Sequence, residues 1–319
     1  ADSQHIWILT NEWLTRAVEA QLPEVPQSHI LAEPVARNTA PAAGLAAFLL
    51  ERQTPNAVLG LFPADHTIQD TDGFLQVLLA GSDLAAAGDN IIVLGVKPDR
   101  PETGYGYIET GETLNQTASR VRRFTEKPNL ERANEFVASG NYFWNSGMFL
   151  AMARTLADAF REHLPETAPY LEEIAQAFGT PEFASKFADL YPRCENISID
   201  YAIIEPRSAK GEHHSNLYCL PADFGWNDLG SWAALYDHQI LQGVNVRHGD
   251  NVMDTSAESV LEASGNYVYA PEKHVALVGV ENLVVVDAGD VLLVTTREGC
   301  QDVGKLVKQL QQEKLDKLI

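Results

Sequence analysis

Short, β-branched apolar runs alternate with longer stretches of helical periodicity through the first two thirds of the chain, and that order admits few folds. "HIWILT" precedes "EWLTRAVEAQL", "AVLGLFPAD" precedes "GFLQVLLAGSDLAAAG", "NIIVLGV" follows, and "GMFLAMARTLADAFREHL" reads as a further helical stretch. The alternation predicts an α/β domain built on a mainly parallel sheet. Such sheets bind ligands beyond the carboxyl ends of their strands, so polar residues that follow strands carry the functional weight. After about residue 240 the texture changes to closely spaced strands, "SVLEA", "NYVYA", "HVALVGV", "NLVVVDA" and "DVLLVTT", parted by turn-formers such as Ser264-Gly265 and Ala288-Gly289. "CQDVGKLVKQLQQEKLDKLI" then closes the chain as a helix. The expectation is a large domain over residues 1–240 and a small β domain over 241–319, its strands stacked in successive coils. Their spacing is too irregular to define a repeat.

With 319 residues and 45% hydrophobic content, the chain can bury the cores of both domains. Lys and Arg number 23 against 44 Asp and Glu, a formal charge of -21, which argues against the basic face of a nucleic-acid binder. A small anionic ligand would have to be neutralised locally, by a few cations or a metal. Cys194, Cys219 and Cys300 form no CxxC pair and are expected to be buried thiols in a reducing compartment. No run approaches the roughly 18 apolar residues of a membrane span. "ADSQHIWILT" is not a secretory leader, so the expected address is cytoplasmic, with no membrane partner. His213 and His214, being adjacent, point different ways on regular structure, which weighs against a metal site there.

Several stretches could carry chemistry. "LFPADHTI" delivers Asp65 directly after an apolar strand, either into a ligand crevice or as a loop cap. "FGWNDLGSW" fixes Asp228 in an aromatic turn, as a site carboxylate or as a helix N-cap. If these two acids converge, they could share one Mg²⁺, which prefers hard oxygen ligands and keeps positions open for phosphates. "ILAEPVARNTAPAAGLAAFLL" reads as a strand end, a loop and a helix opened by Asn38 and Thr39, with Pro41 in its first turn. Arg37, Asn38 and Thr39 could read a flat polar base, or simply start a well-capped helix. "RPETGYGYIE" offers Gly104 and Gly106 for close backbone approach to a ligand but is no P-loop. "FTEKPNLERANEFVASGNYFWNSGMF" sets Glu126 beside Lys127, pins them with Pro128 and presents Asn145 among aromatic rings. That stretch is either a salt-bridged turn before an amphipathic helix or a polar site walled by rings.

Taken in order, "AEPVARNTAPA", "FPADH", "RPETGYGYIE", "FTEKP", "FWNSGMF", "SIDYAIIE" and "FGWNDLGSW" resemble the successive blocks of the sugar nucleotidyltransferases, and most closely the mannose-1-phosphate guanylyltransferases. The likeness runs over essentially the whole chain. It implies a Rossmann-like nucleotidyltransferase domain followed by a β-helix-like domain. It also implies a reaction, attack of mannose 1-phosphate on the α-phosphorus of GTP, giving GDP-mannose and pyrophosphate. The family pattern puts Asp65 and Asp228 on Mg²⁺ and Arg37, Asn38 and Thr39 beside the guanine. It puts Glu126 on sugar hydroxyls, Lys127 on the sugar phosphate, and Gly106 and Asn145 along the hexose. Asp65, Lys127 and Asp228 would then be the catalytic set.

One departure stands out. The family opens with a strand and a loop of the form G-G-x-G-x-R-x-x-P, followed by a lysine, that wraps the triphosphate, and "HIWILT" looks like the second strand of that pattern. The expectation is therefore a fragment of a longer protein, of which residues 1–319 alone turn over poorly; the competing reading is a non-catalytic regulatory relative that binds sugar nucleotide. Transfer from UTP or dTTP to glucose 1-phosphate is the alternative within the class, because base and epimer selection rest on a few hydrogen bonds. No isomerase-like extension is expected after Ile319. A homodimer is expected, with the β tail serving interfaces more than chemistry.

Overall fold

A computed structural model describes residues 2–114 and 117–318. The chain divides into two compact units, one holding residues up to Pro63 together with Asp70–Phe224, the other holding Ala64–Gln69 together with the chain from Gly225 onward. The division falls before residue 240 because the helix Trp232–Gln242 buries Tyr236 with Val252, Tyr267 and Val284 in the second unit.

The strands of the first unit are β1 (Ile8–Asn11), β2 (Ile30–Glu33), β3 (Val58–Leu61), β4 (Ile91–Val96), β5 (Tyr107–Thr113), β6 (Ser119–Thr125), β7 (Tyr142–Met152) and β8 (Leu217–Ala222). Its helices are α1 (Thr15–Gln21), α2 (Thr39–Gln53), α3 (Thr71–Ala86), α4 (Leu130–Ser139), α5 (Ala153–His163), α6 (Ala168–Ala177), α7 (Phe183–Leu190) and the short α8 (Glu205–Ser208). β1 and β2 pair in parallel, and the other strands form a six-stranded sheet of order β3-β7-β4-β8-β6-β5, with β7 also pairing to β5. β3, β4, β5 and β8 share one direction, whereas β6 and β7 run against them. The α/β expectation holds, but most neighbouring pairs are antiparallel and the sheet is mixed.

β7 accounts for that difference. Residues 148–152, read from the sequence as the start of a helix, form the buried end of β7 between β3 and β4, and the helix begins only at Ala153. An unbroken apolar run does not by itself distinguish a central strand from a buried helix. Both faces of the sheet are covered. Ile91, Val93, Phe149 and Ala151 pack with Phe48 of α2, Phe160 of α5 and Leu171 of α6, while Gly81 of α3 lies close to Ile92, Leu150 and Leu220. With alternate side chains buried on opposite faces, strand ends and the loops beyond them are what remain for polar chemistry.

The second unit contains α9 (Trp232–Gln242), β9 (Val246–Arg247), β10 (Asn251–Leu261), β11 (Tyr267–Val278), β12 (Leu283–Asp287), β13 (Leu292–Thr296) and α10 (Val303–Gln312). β10, β11 and β12 stack in parallel, and β9 and β13 flank them antiparallel. "NYVYA" and "HVALVGV" belong to one continuous strand, β11, not to two. Asn251, Asn266 and Asn282 recur at nearly equal intervals, one per coil. The Asn251 Oδ1 accepts from the Asn266 amide at 2.7 Å, the Asn266 Oδ1 accepts from the Leu283 N–H at 2.8 Å, and the Asn282 Oδ1 accepts from Arg297 at 2.5 Å. Cys194, Cys219 and Cys300 are free and buried. Among the described residues, no helix is long and apolar enough to cross a membrane.

Candidate active site

Glu126 lies just past the end of β6, where Lys127 takes a positive φ of 47° and its N–H donates to the Tyr105 carbonyl at 3.2 Å. The turn sends the two side chains to different environments. Glu126 keeps 9% of its side chain exposed against 59% for Lys127, with 3.7 Å between Nζ and Oε1. The second carboxyl oxygen, Oε2, is buried without a hydrogen-bond donor. Gly106 makes room for it, since a Cβ there would lie 2.5 Å from Oε2, 2.8 Å from the Phe124 ring and 3.3 Å from the Asn145 Cβ. The Asn145 N–H donates to the Gly106 carbonyl at 2.8 Å, so the pairing of β5 with β7 brings Gly106, Glu126 and Asn145 together.

The Asn145 amide is held at both ends. Its Nδ2 donates to Asp200 Oδ1 at 2.8 Å, and its Oδ1 accepts the Gly147 N–H at 3.1 Å. Asp200 opens a π-helical turn, Asp200–Ile204, that leads into α8, whose first residue is Glu205. Burial pushes the Glu126 carboxyl up to about 7, with the Asp200 and Glu205 charges adding to the effect and Lys127 opposing it. Burial raises Asp200 as well, against the Asn145 hydrogen bond and Lys127. A carboxylate oxygen kept dry and without a donor, beside a cation at the surface, suits a ligand that brings a hydroxyl and a phosphate.

Arg37, Asn38 and Thr39 stand at the start of α2, as the sequence predicts. The Asn38 side chain caps the helix through the Thr39 N–H at 2.8 Å. Arg37 donates to the Pro192 carbonyl, its Nε at 3.1 Å, so in this structure its guanidinium holds a neighbouring turn. The Ile199 N–H donates to Thr39 Oγ1 at 3.0 Å, and the Ala40 N–H donates to the Ile197 carbonyl at 3.1 Å. Residues 197–200 thus run from the helix start to the Asn145 amide and join two of the predicted groups within the first unit.

Asp65 and Asp228 come together in the second unit. The Thr67 and Asn227 backbones bridge in both directions, at 2.8 and 3.1 Å, which fixes the two acidic segments side by side. Both carboxylates act on one ring, His66, whose proton affinity burial lowers and the two acids raise. Trp226 donates its indole N–H to His66 Nδ1 at 3.0 Å, leaving the Nε2 proton to face Asp65 Oδ1 at 3.8 Å. Asp228 Oδ1 accepts the Gly230 N–H at 3.1 Å, and a Cβ on Gly230 would lie 2.6 Å from Oδ2. Among the described residues no third His, Cys, Asp or Glu completes a metal-binding group with them. Two hard oxygen donors fit a Mg²⁺ that keeps most of its six positions for water and phosphate.

The model of the nucleotidyl transferase family matches residues 1–242. The chain belongs to the nucleotidyl transferase family. A second family model, described as a MannoseP isomerase/GMP-like β-helix domain, matches residues 258–310 of the chain. It is 36% identical over 315 residues to the mannose-1-phosphate guanylyltransferase of Escherichia coli K12, covering 95% of this chain and 63% of that one. It is 36% identical over 287 residues to the alginate biosynthesis protein AlgA of Pseudomonas aeruginosa, covering 88% of this chain and 56% of that one. The chain therefore spans about three fifths of the length of these curated relatives. A crystal structure described as a mannose-1-phosphate geranyltransferase from Thermus thermophilus superposes with a TM-score of 0.75 at 28% identity, covering 95% of this chain and 83% of that one.

The sequence does not by itself mark Asp200, Glu205 or His66 as site residues. All stand inside motifs that carry the family resemblance, "SIDYAIIE" and "FPADH". Nothing local marks an aspartate that will meet an amide from another strand.

Proposed function

We propose that the protein is a mannose-1-phosphate guanylyltransferase, transferring GMP from GTP to mannose 1-phosphate. A phosphate oxygen of the sugar phosphate forms a bond to the α-phosphorus of GTP, the bond to the leaving pyrophosphate breaks, and GDP-mannose is the product. The chief physical difficulty is bringing two polyanions together, which positioning and local positive charge relieve. In this reading Lys127 meets the sugar phosphate, Glu126 accepts a sugar hydroxyl, and Gly106 and Asn145 line the hexose. Arg37, Asn38 and Thr39 lie beside the guanine. Asp65 and Asp228 would hold Mg²⁺, which supplies charge neutralisation on the phosphates when bound. The proposal includes a cytoplasmic address, in keeping with three free thiols, and a homodimer, the commonest closed assembly.

The observation that carries the reading is the buried Glu126 oxygen that lacks a donor, next to a surface lysine and a glycine that no larger residue could replace without a clash. The names of the curated relatives supply the substrate class. Binding is the discriminating test, since it does not require turnover by residues 1–319. By calorimetry with Mg²⁺, GDP-mannose should bind more tightly than UDP-glucose. Glu126→Ala should weaken mannose 1-phosphate about tenfold or more and leave GTP within about twofold. Preference for UDP-glucose, or equal loss of both ligands, would overturn the assignment.

A further inference from the structure

Glu126 is ringed by groups that titrate. Asp200 and Glu205 face it from the π-helical turn and α8, Lys127 adjoins it on its own turn, and the Tyr201 phenol feels Glu126, Glu205 and Asp200 together. Only Lys127 among these is a cation, and its side chain is 59% exposed. Asp200 differs from the other acids in being bonded to the site itself, through the Asn145 amide at 2.8 Å. A carboxylate at one end and the Gly147 N–H at the other fix which end of that amide is nitrogen. The second Nδ2 proton is then the donor left for a ligand.

We propose that Asp200 is a positioning residue of the hexose site: it orients the Asn145 amide and, as a second buried carboxyl behind Glu126, makes affinity for a hexose 1-phosphate depend on pH. This rests on the guanylyltransferase reading for its ligand but not for its electrostatics. Two carboxyls in a dry site titrate as a pair, and the field of one favours a proton on the other. Glu126 is the stronger acceptor for a sugar hydroxyl when ionised, so affinity should rise with pH as its own proton leaves. Removing the Asp200 charge lets it leave at lower pH. Asp200→Asn keeps an oxygen for the Asn145 amide while removing the charge, whereas Asp200→Leu removes both.

The test has two arms, run on the whole chain. In the first, carboxyl carbon NMR of protein labelled at glutamate follows Glu126, identified by the signal that Glu126→Gln abolishes. Its midpoint, near 7 in the parent protein, should fall by about one pH unit or more in Asp200→Asn. An unchanged midpoint in a protein with native circular dichroism overturns the proposal whatever the ligand is. In the second, calorimetry with mannose 1-phosphate between pH 5.5 and 8.5, corrected for the ligand's own titration with Glu126→Gln, should show the affinity midpoint of Asp200→Asn moving down with the NMR one. At pH 8.5 Asp200→Asn should stay within about threefold of the parent, and Asp200→Leu should lose about tenfold or more. Uniform weakening by Asp200→Asn at every pH would make the residue merely structural and overturn the proposal. No binding to the parent protein at any pH, with the NMR shift intact, would sink the substrate assignment alone.

Discussion

Glu126 shows what the site costs the fold. Its carboxyl ionises near 4.5 in an unfolded chain and at about 7 in the folded one. Between those values the folded state holds a proton that the unfolded state has lost. Stability from this group is therefore full below about 4.5, declines through the window, and stays lost above 7. Glu126→Gln removes that penalty, so urea denaturation should find the variant more stable by about 2 to 3 kcal/mol at pH 8 and matched to the parent at pH 4. Equal stability at both values would mean the carboxyl is better solvated than the geometry indicates. The residue was legible because acid, base and proline stand adjacent in "FTEKP", and Gly106 and Asn145 because each sits in a polar break among aromatics. Asp200 was not, since its meaning depends on an amide 55 positions away.

Elements explain both what the sequence disclosed and where it misled. Caps are local chemistry, so the start of α2 at Asn38 was written in a few consecutive residues. β7 was misread in part because central strands and buried helices share an apolar composition, and only its neighbours β3 and β4 decide between them. The coils of the second unit were expected, but their repeat was hidden because its marker is a single asparagine per coil in otherwise dissimilar sequence. That marker carries stability. Asn266 is fully buried and bonds to Asn251, the Val280 carbonyl and the Leu283 N–H. Asn266→Ala leaves those partners dry and unpaired, and should destabilise by about 3 kcal/mol. Hydrogen exchange should quicken through β10, β11 and β12 while β4 and β7 keep their protection. A loss below about 0.5 kcal/mol would show that water satisfies the ladder.

At the scale of the molecule, the residues proposed for the sugar phosphate and for the metal fall in two compact units with separate apolar clusters. Glu126, Lys127, Gly106 and Asn145 belong to the first, whereas Asp65, His66 and Asp228 belong to the second. That division could not be read from the chain alone, because Asp65 follows a strand of the first unit, yet Thr67, two residues on, bridges to Asn227 within the second. A formal charge of -21 sharpens the consequence, since phosphates approach an acidic protein and depend on the few groups that neutralise them. The metal-binding and sugar-binding contributions should therefore separate on mutation. Asp228→Asn should weaken Mg²⁺ binding in the presence of GDP-mannose by about tenfold or more, read by calorimetric titration of the metal. The same variant should bind mannose 1-phosphate without metal as the parent does, because Lys127 and Glu126 are untouched. Asp65→Asn should behave alike, and His66→Gln more mildly, as the ring stands 3.8 Å from Asp65 and offers no oxygen. Loss of metal-free sugar-phosphate binding in Asp228→Asn, or an unchanged Mg²⁺ titration, would refute the pairing of these two acids around one cation.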